Sequence, residues 1–144
     1  MNTIRHILQL KGHDVWSVTP DDSVYEALRL MADKNIGALL VMEADRLVGV
    51  LSERDYARKI ILQGKSSKDT LVGEIMTRQV YTIHPDQTVE EAMDVMVRHH
   101  IRHLPVVEEN QVIGVISIMD TTRSVIYAQR ETIRELEDKM KPKL

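Results

Sequence analysis

The chain has no cysteine, no phenylalanine and a single tryptophan among 144 residues. Without thiols there is neither a disulfide framework nor a thiolate metal site, which suits a reducing compartment, and we expect a cytoplasmic protein. With aromatics at 3%, any core must be built from Val, Ile, Leu, Met and Ala. Long apolar runs are also missing. The longest, ALLVM at 38–42, falls far short of the ~18 residues that a membrane span requires. The opening MNTIRHILQLKGHD has no sustained apolar stretch and no small-residue cleavage site, so neither a membrane partner nor a signal peptide is expected. A basic surplus is absent as well: the formal net charge is −3, which argues against nucleic acid as a partner, because neutralising phosphates needs a positive surface.

What is present suits a globular protein. The chain is 43% hydrophobic and 28% charged, near the average for soluble domains. Its length fits one compact unit or two small halves sharing a core, burying roughly 68–70% of the unfolded surface. Two stretches bring the second option forward: GVLSERD at 49–55 and GVISIMD at 114–120. Sliding the chain against itself by 65 places aligns residues 15–55 with 80–120 without a gap, and fifteen of forty-one positions are then identical, among them Pro20, Asp21, Ala27, Gly49, Ser52 and Asp55. The chain is a tandem repeat.

Each unit reads alike. An extended segment (SVTP at 17–20, TIHP at 82–85) runs into a proline that disfavours helix in the residue before it. A helix follows, opened by Ser23 with Glu26, or Thr88 with Glu91, at capping-box spacing, and carrying one apolar face. Next come two apolar runs around a polar turn, GALLVM-EADR-LVGVLS and RHLPVV-EENQ-VIGVIS, each a β-hairpin. The second strand enters a helix, ERDYARKIILQG closed by Gly64 in one copy and MDTTRSVIYAQRETIRELEDKM in the other. A short helix precedes each unit, TIRHIL at 3–8 and LVGEIM at 71–76, and GKSSKDT at 64–70 is the linker. The expected fold class is α/β (α+β): two β-α-β-β-α repeats related by a pseudo-twofold axis and packed through their small sheets, because strands this short and apolar cannot be buried by one half alone. The first repeat takes 1–66 with its leading helix, the second 67–144 with the long last helix.

Ser52 and Ser117 stand where a strand ends and a helix begins. Unpaired N–H groups and the positive end of the helix dipole collect there, which suits an anion. Three residues on, Asp55 and Asp120 offer acceptor oxygens able to hold a vicinal diol such as that of ribose. Taken singly, each turn is equally an ordinary N-cap with an acid favoured by the dipole. In their favour as a site, Gly, Ser and Asp return in register while Glu53-Arg54 and Ile118-Met119 between them do not.

On the doubled Gly-hydrophobic-x-Ser-x-x-Asp, the RHLPVV strand and the leading segments ending in TP or HP, nearly the whole chain resembles the CBS domains, named after cystathionine β-synthase, in the tandem arrangement called a Bateman module. The resemblance implies two clefts between the repeats that bind adenosine-containing ligands, AMP, ADP, ATP, NAD or S-adenosylmethionine, in a sensor without catalytic cofactor or activity. It implies that the Ser/Asp turn of one repeat faces the first two strands of the other. The first cleft would join Ser52, Glu53, Arg54 and Asp55 with Val80, Tyr81, Ile101, Arg102, His103 and Pro105. It would be basic, with Arg58 or Lys59 one turn further on. The second would join Ser117, Ile118, Met119 and Asp120 with Val15, Trp16, Ile36, Gly37 and Ala38, more apolar and without an arginine. Such modules commonly pair, so a homodimer is expected, together with a regulated protein partner that the sequence leaves unnamed.

Other constellations carry less. HHIRH at 99–103 has metal-like spacing only if helical. A helix ending near His100 turns the side chains apart, so no metal site is expected and His103 is read as a phosphate neighbour. EADR, KSSKD and KMKPK are solvated charge clusters. Ile126, Ile133, Leu136 and Met140 form a heptad-like seam, for packing on the chain's own core or on a partner helix. Two rival functions stay open: a structural dimerisation module with empty clefts, and a nucleotide-processing enzyme, for which no nucleophile with a matched base is present.

Overall fold

The structure, a computed structural model, describes residues 2–142. Helix α1 (Ile4–Lys11) opens the chain, followed by β1 (Ser17–Val18), α2 (Val24–Lys34), β2 (Ala38–Glu43), β3 (Arg46–Ser52) and α3 (Glu53–Tyr56). Helix α3 widens into a π-helical segment, Ala57–Ile61. After α4 (Val72–Ile75) the second repeat contributes α5 (Val89–His99), β4 (His103–Glu108), β5 (Gln111–Ser117) and the long α6 (Ile118–Met140). No helix among the described residues is long and apolar enough to cross a membrane.

The helix ends are set by local chemistry. Ser23 Oγ accepts from Glu26 N at 3.1 Å and Thr88 Oγ1 from Glu91 N at 3.1 Å, the hydroxyl half of the expected boxes. The carboxylates do not reciprocate: Glu26 faces Arg29, and Glu91 accepts from Gln87. At their C-termini α2 and α5 close on left-handed Asn35 and His100, both at φ 54°. Ile36 N then donates to Met31 O and Ile101 N to Met96 O, at 3.0 Å each, which satisfies carbonyls the helix leaves open. Gly64 (φ 66°) ends the π-helical segment likewise, with Lys65 N donating to Ile60 O at 2.9 Å.

The hairpins form as expected, with the same register shift in each, between Val41 and Met42 and between Val106 and Val107. The leading strands do not match. In the first repeat β1 pairs with β2 over Ser17↔Leu40 and Val18↔Val41, whereas the second keeps only the bridge Ile83↔Val106, so the sheets have three and two strands and the strand expected at 82–85 is absent. The cause is one residue. Leu40 N donates to Trp16 O at 3.3 Å, and its register partner is Pro105, which has no N–H to donate.

Two core clusters form, and they interleave the sequence repeats. Val18, Leu39, Val41, Leu51 and Ile60 are buried with Val72, Ile75 and Met76 of the segment leading into the second repeat. Ile83, Leu104, Val106 and Ile116 are buried with Ile4, Ile7 and Leu8 of α1. Each leading helix thus packs on the repeat that does not follow it. The repeated glycines permit this: a Cβ on Gly49 would meet Met76 Sδ at 2.7 Å and Thr77 O at 3.0 Å.

Candidate functional site

Ser52 and Ser117 end β3 and β5 in extended conformation, each at the N-cap of the helix that follows. Here the capping boxes are complete. Ser52 Oγ accepts from Asp55 N at 3.2 Å while Asp55 Oδ2 accepts from Ser52 N at 2.9 Å. Ser117 and Asp120 repeat this at 3.2 and 2.8 Å. The first amide of each helix is also taken, Glu53 N by Gly37 O at 3.0 Å and Ile118 N by Arg102 O at 2.8 Å. The turns therefore offer an anion fewer free N–H groups than their sequence suggests, and side chains must supply most of any positive charge.

Both aspartates are buried and each is held by a lysine, but from different places. Asp55 Oδ1 accepts from Thr77 Oγ1 at 3.0 Å and pairs with Lys59 Nζ at 3.0 Å, on its own helix. Lys59 also donates to Ile75 O at 2.8 Å. Asp120 Oδ2 pairs at 2.7 Å with Lys11 Nζ, which arrives from α1. For Asp120, burial acts to raise the carboxyl pKa, and the Lys11 bond with the Ser117 N–H more than offsets it, holding the group below the usual carboxylate range.

Two cavities lie between the repeats. The first, about 700 Å³, is lined by Ser52, Glu53, Arg54 and Asp55 together with Val80, Tyr81, Ile101, Arg102 and His103. The structure thus brings together every residue expected in this cleft except Pro105, which lines the other cavity. Arg58 and Lys59 join the wall, so four cations face two carboxylates, Glu53 and Asp55. Arg54 is committed, donating to His100 O at 2.7 Å across the repeat interface, the carbonyl end of α5 where a cation is favoured. Arg58 and Arg102 enter no ion pair among the described residues.

The second cavity, about 520 Å³, is lined by Trp16, Ile36, Gly37, Ala38, Ser117, Ile118 and Met119, as expected. Asp120 and Val15 do not line it. Asp120 turns toward Lys11 instead, because α1 crosses behind the turn. Nor does the cavity lack cations, since Lys11 and Arg102 both line it.

Each cavity carries one aromatic from its leading segment, backed by the register-equivalent residue of a neighbouring helix. Tyr81 stacks on His99 with ring centroids 3.7 Å apart and planes 15° apart. In the second, Lys34 Nζ lies 4.2 Å from the Trp16 ring centroid. The sequence reading missed His99, His100, Thr77 and Gln79, which line the first cavity, and Gly12, Asp14 and Asn35, which line the second. The signal was present in part: Gly12, Asp14 and Asn35 are the 65-residue partners of Thr77, Gln79 and His100. His103 lines both cavities. Burial, then Lys11, lowers its pKa and Asp120 only partly opposes this, so the imidazole is held neutral at pH 7.

Comparisons with known proteins identify the family and the fold. The family model described as CBS domain matches residues 5–62 and again 72–127. The mitochondrial CBS domain-containing protein CBSX3 of Arabidopsis thaliana is 42% identical over 144 residues, covering 93% of this chain and 69% of that protein. A CBS-domain protein of solved structure from Burkholderia ambifaria MC40-6 is 48% identical, with a TM-score of 0.86 over 89% of this chain and 96% of that one. The CBS domain pair of protein MJ0100, solved in complex with 5′-methylthioadenosine and S-adenosyl-L-methionine, is 27% identical, with a TM-score of 0.77 over 86% of this chain and 99% of that one.

Proposed function

The chain belongs to the CBS-domain family as a tandem pair, and we propose that it is a non-catalytic regulatory module whose first cleft binds an adenine nucleotide, AMP, ADP, ATP or NAD. The observation that carries this reading is the first cavity itself: about 700 Å³ between the repeats, with four cations, a stacked aromatic and a buried carboxylate in its lining. Pockets of this size hold drug-sized ligands. Arg58 and Arg102, uncommitted to any carboxylate, meet the phosphate, with Arg54 and neutral His103 beside them. Tyr81, Val80 and Ile101 receive the base. Asp55 takes the ribose diol once Lys59 and Thr77 release its Oδ1. That MJ0100 binds two adenosine derivatives supports the class of ligand and leaves its phosphorylation open.

Ligand occupancy then shifts the packing between repeats or between copies of the chain, and so a partner's activity, to the extent that the two arrangements differ in affinity. The second reading, a dimerisation module with empty clefts, is favoured by one observation, the internal satisfaction of both aspartates by their capping boxes and lysines.

Calorimetric titration of AMP, ATP and NAD into the wild-type chain and Asp55→Ala decides between them. Losing hydrogen bonds to a charged acceptor, worth ~1.5–3 kcal/mol, weakens binding roughly tenfold to a hundredfold. Equal affinities would remove the ribose role of Asp55. A wild-type melting temperature indifferent to every adenylate at saturation would leave the clefts empty, because a ligand of the native state must stabilise it.

A further inference from the structure

The two cavities share a wall. Gly37, Ala38, Val50, Arg102 and His103 line both. Gly37 and Ala38 are the register partners of Arg102 and His103, so this wall lies where the repeats meet, and its two sides are chemically unequal: Gly-Ala on one, Arg-His on the other. A Cβ on Gly37 would meet Glu53 Oε1 at 3.0 Å and His103 Cε1 at 3.7 Å. The second repeat's imidazole therefore stands over the space that glycine leaves.

Among the described residues, Arg102 is the only cation that lines both clefts. Lys11 is held by Asp120, Lys59 by Asp55, and Arg54 by His100 O. Arg102 is exposed, and among the described residues no carboxylate pairs with it. A guanidinium is a planar fork whose donors point one way at a time. It can turn fully toward an anion in one cleft or in the other.

We propose that Arg102 is a single cation held in common by the two clefts, so that an anionic nucleotide in one weakens the binding of a second in the other. This rests on the adenylate reading above. Linkage makes the effect reciprocal, and about tenfold lies within the usual range for coupled sites. The repeat that doubles the pocket thus fails to double the charge, because position 37 is glycine where position 102 is arginine.

Trp16, the one tryptophan of the chain, lines the second cavity and not the first, so its fluorescence reports occupancy there while calorimetry reports total binding. AMP is titrated into the full chain as wild type, Val80→Phe, Arg102→Ala and the double variant; Val80 lines only the first cavity. Obstructing the base-binding part of the first cleft with phenylalanine is expected to tighten AMP binding at Trp16 about tenfold, and to change it less than twofold when Arg102 is already alanine. Should Val80→Phe not fold, Arg58→Ala, an exposed residue of the first cavity only, takes its place and is expected to act in the same direction. Two bound AMP with a Trp16-reported affinity that neither variant moves, or that moves equally in both backgrounds, overturns the shared cation alone. No heat from AMP in the wild-type chain overturns the adenylate reading and this inference together.

Discussion

A Cβ on Gly114 would lie 2.7 Å from Leu8 Cδ2, although the two residues stand far apart in the sequence. Gly49 is in the same relation to Met76. The glycine of the repeated Gly-Val-x-Ser motif is thus required by the leading helix of the other repeat, which presses on the strand just there. Gly114→Ala should destabilise by about 1–3 kcal/mol through overpacking, measured by urea unfolding. Combined with Leu8→Ala, the cost should fall below the sum of the two single changes, because the contact that clashes is gone. Additive costs would show that the two residues do not meet.

Pro105 explains the missing strand by the N–H it lacks, and that is open to test. In Pro105→Leu, the residue found at register-equivalent position 40, a new amide faces Tyr81 O as Leu40 N faces Trp16 O. Hydrogen exchange should find the amide of residue 105 protected. The net change in stability should stay within about 1 kcal/mol, since the gained hydrogen bond is offset by the greater freedom of the unfolded chain. A rapidly exchanging amide at 105 would disconnect the proline from the sheet asymmetry.

Asp120 titrates below its ordinary value of 3.8. A depressed carboxyl pKa adds stability that is fully present above the unfolded value and is lost as pH falls through the folded one. Lys11→Met removes the paired cation while burial remains, costing on the order of 1–3 kcal/mol at neutral pH. The gap between wild type and variant in chemical denaturation should therefore be widest above about pH 4 and narrow on further acidification. A gap that is constant with pH would separate Lys11 from the titration of Asp120.

His103 works in the opposite chemical sense at higher pH. Burial, with Lys11 and Arg102 nearby and Asp120 in opposition, places its pKa below 6.5. The neutral imidazole belongs to the fold, so its contribution is complete above 6.5 and declines as pH falls toward the folded value. His103→Gln should flatten the loss of stability between pH 7.5 and 5.5. The same slope in both proteins would count against a buried neutral histidine.

The register of 65 residues made much of this legible. Both hairpins and the helix starts at Ser23 and Thr88 followed from aligning the chain with itself, because caps, turns and period-2 patterns are local, whereas the residues of the first cavity came from the resemblance to CBS domains. Three features were not. The apolar face of α1 announces burial without saying where, and Leu8 finds its partner only across the other repeat. Asp120 looked like a twin of Asp55 until α1 brought Lys11 behind it. Arg102 could be read as cationic, but its place between two cavities depends on Gly37 opposite, and that juxtaposition exists only once the repeats meet.

The crossing of the leading helices sets an order of events during synthesis. The first core can close when Met76 has emerged, since all its members lie between Val18 and that residue. The second must wait for Ile116 and then recapture Ile4, Ile7 and Leu8, which leave the ribosome before any member of the first core. Translation thus makes the first helix the last to be seated, and a nascent chain stalled within the second repeat carries it bare, open to chaperones and to the same segment of a neighbouring polysome product.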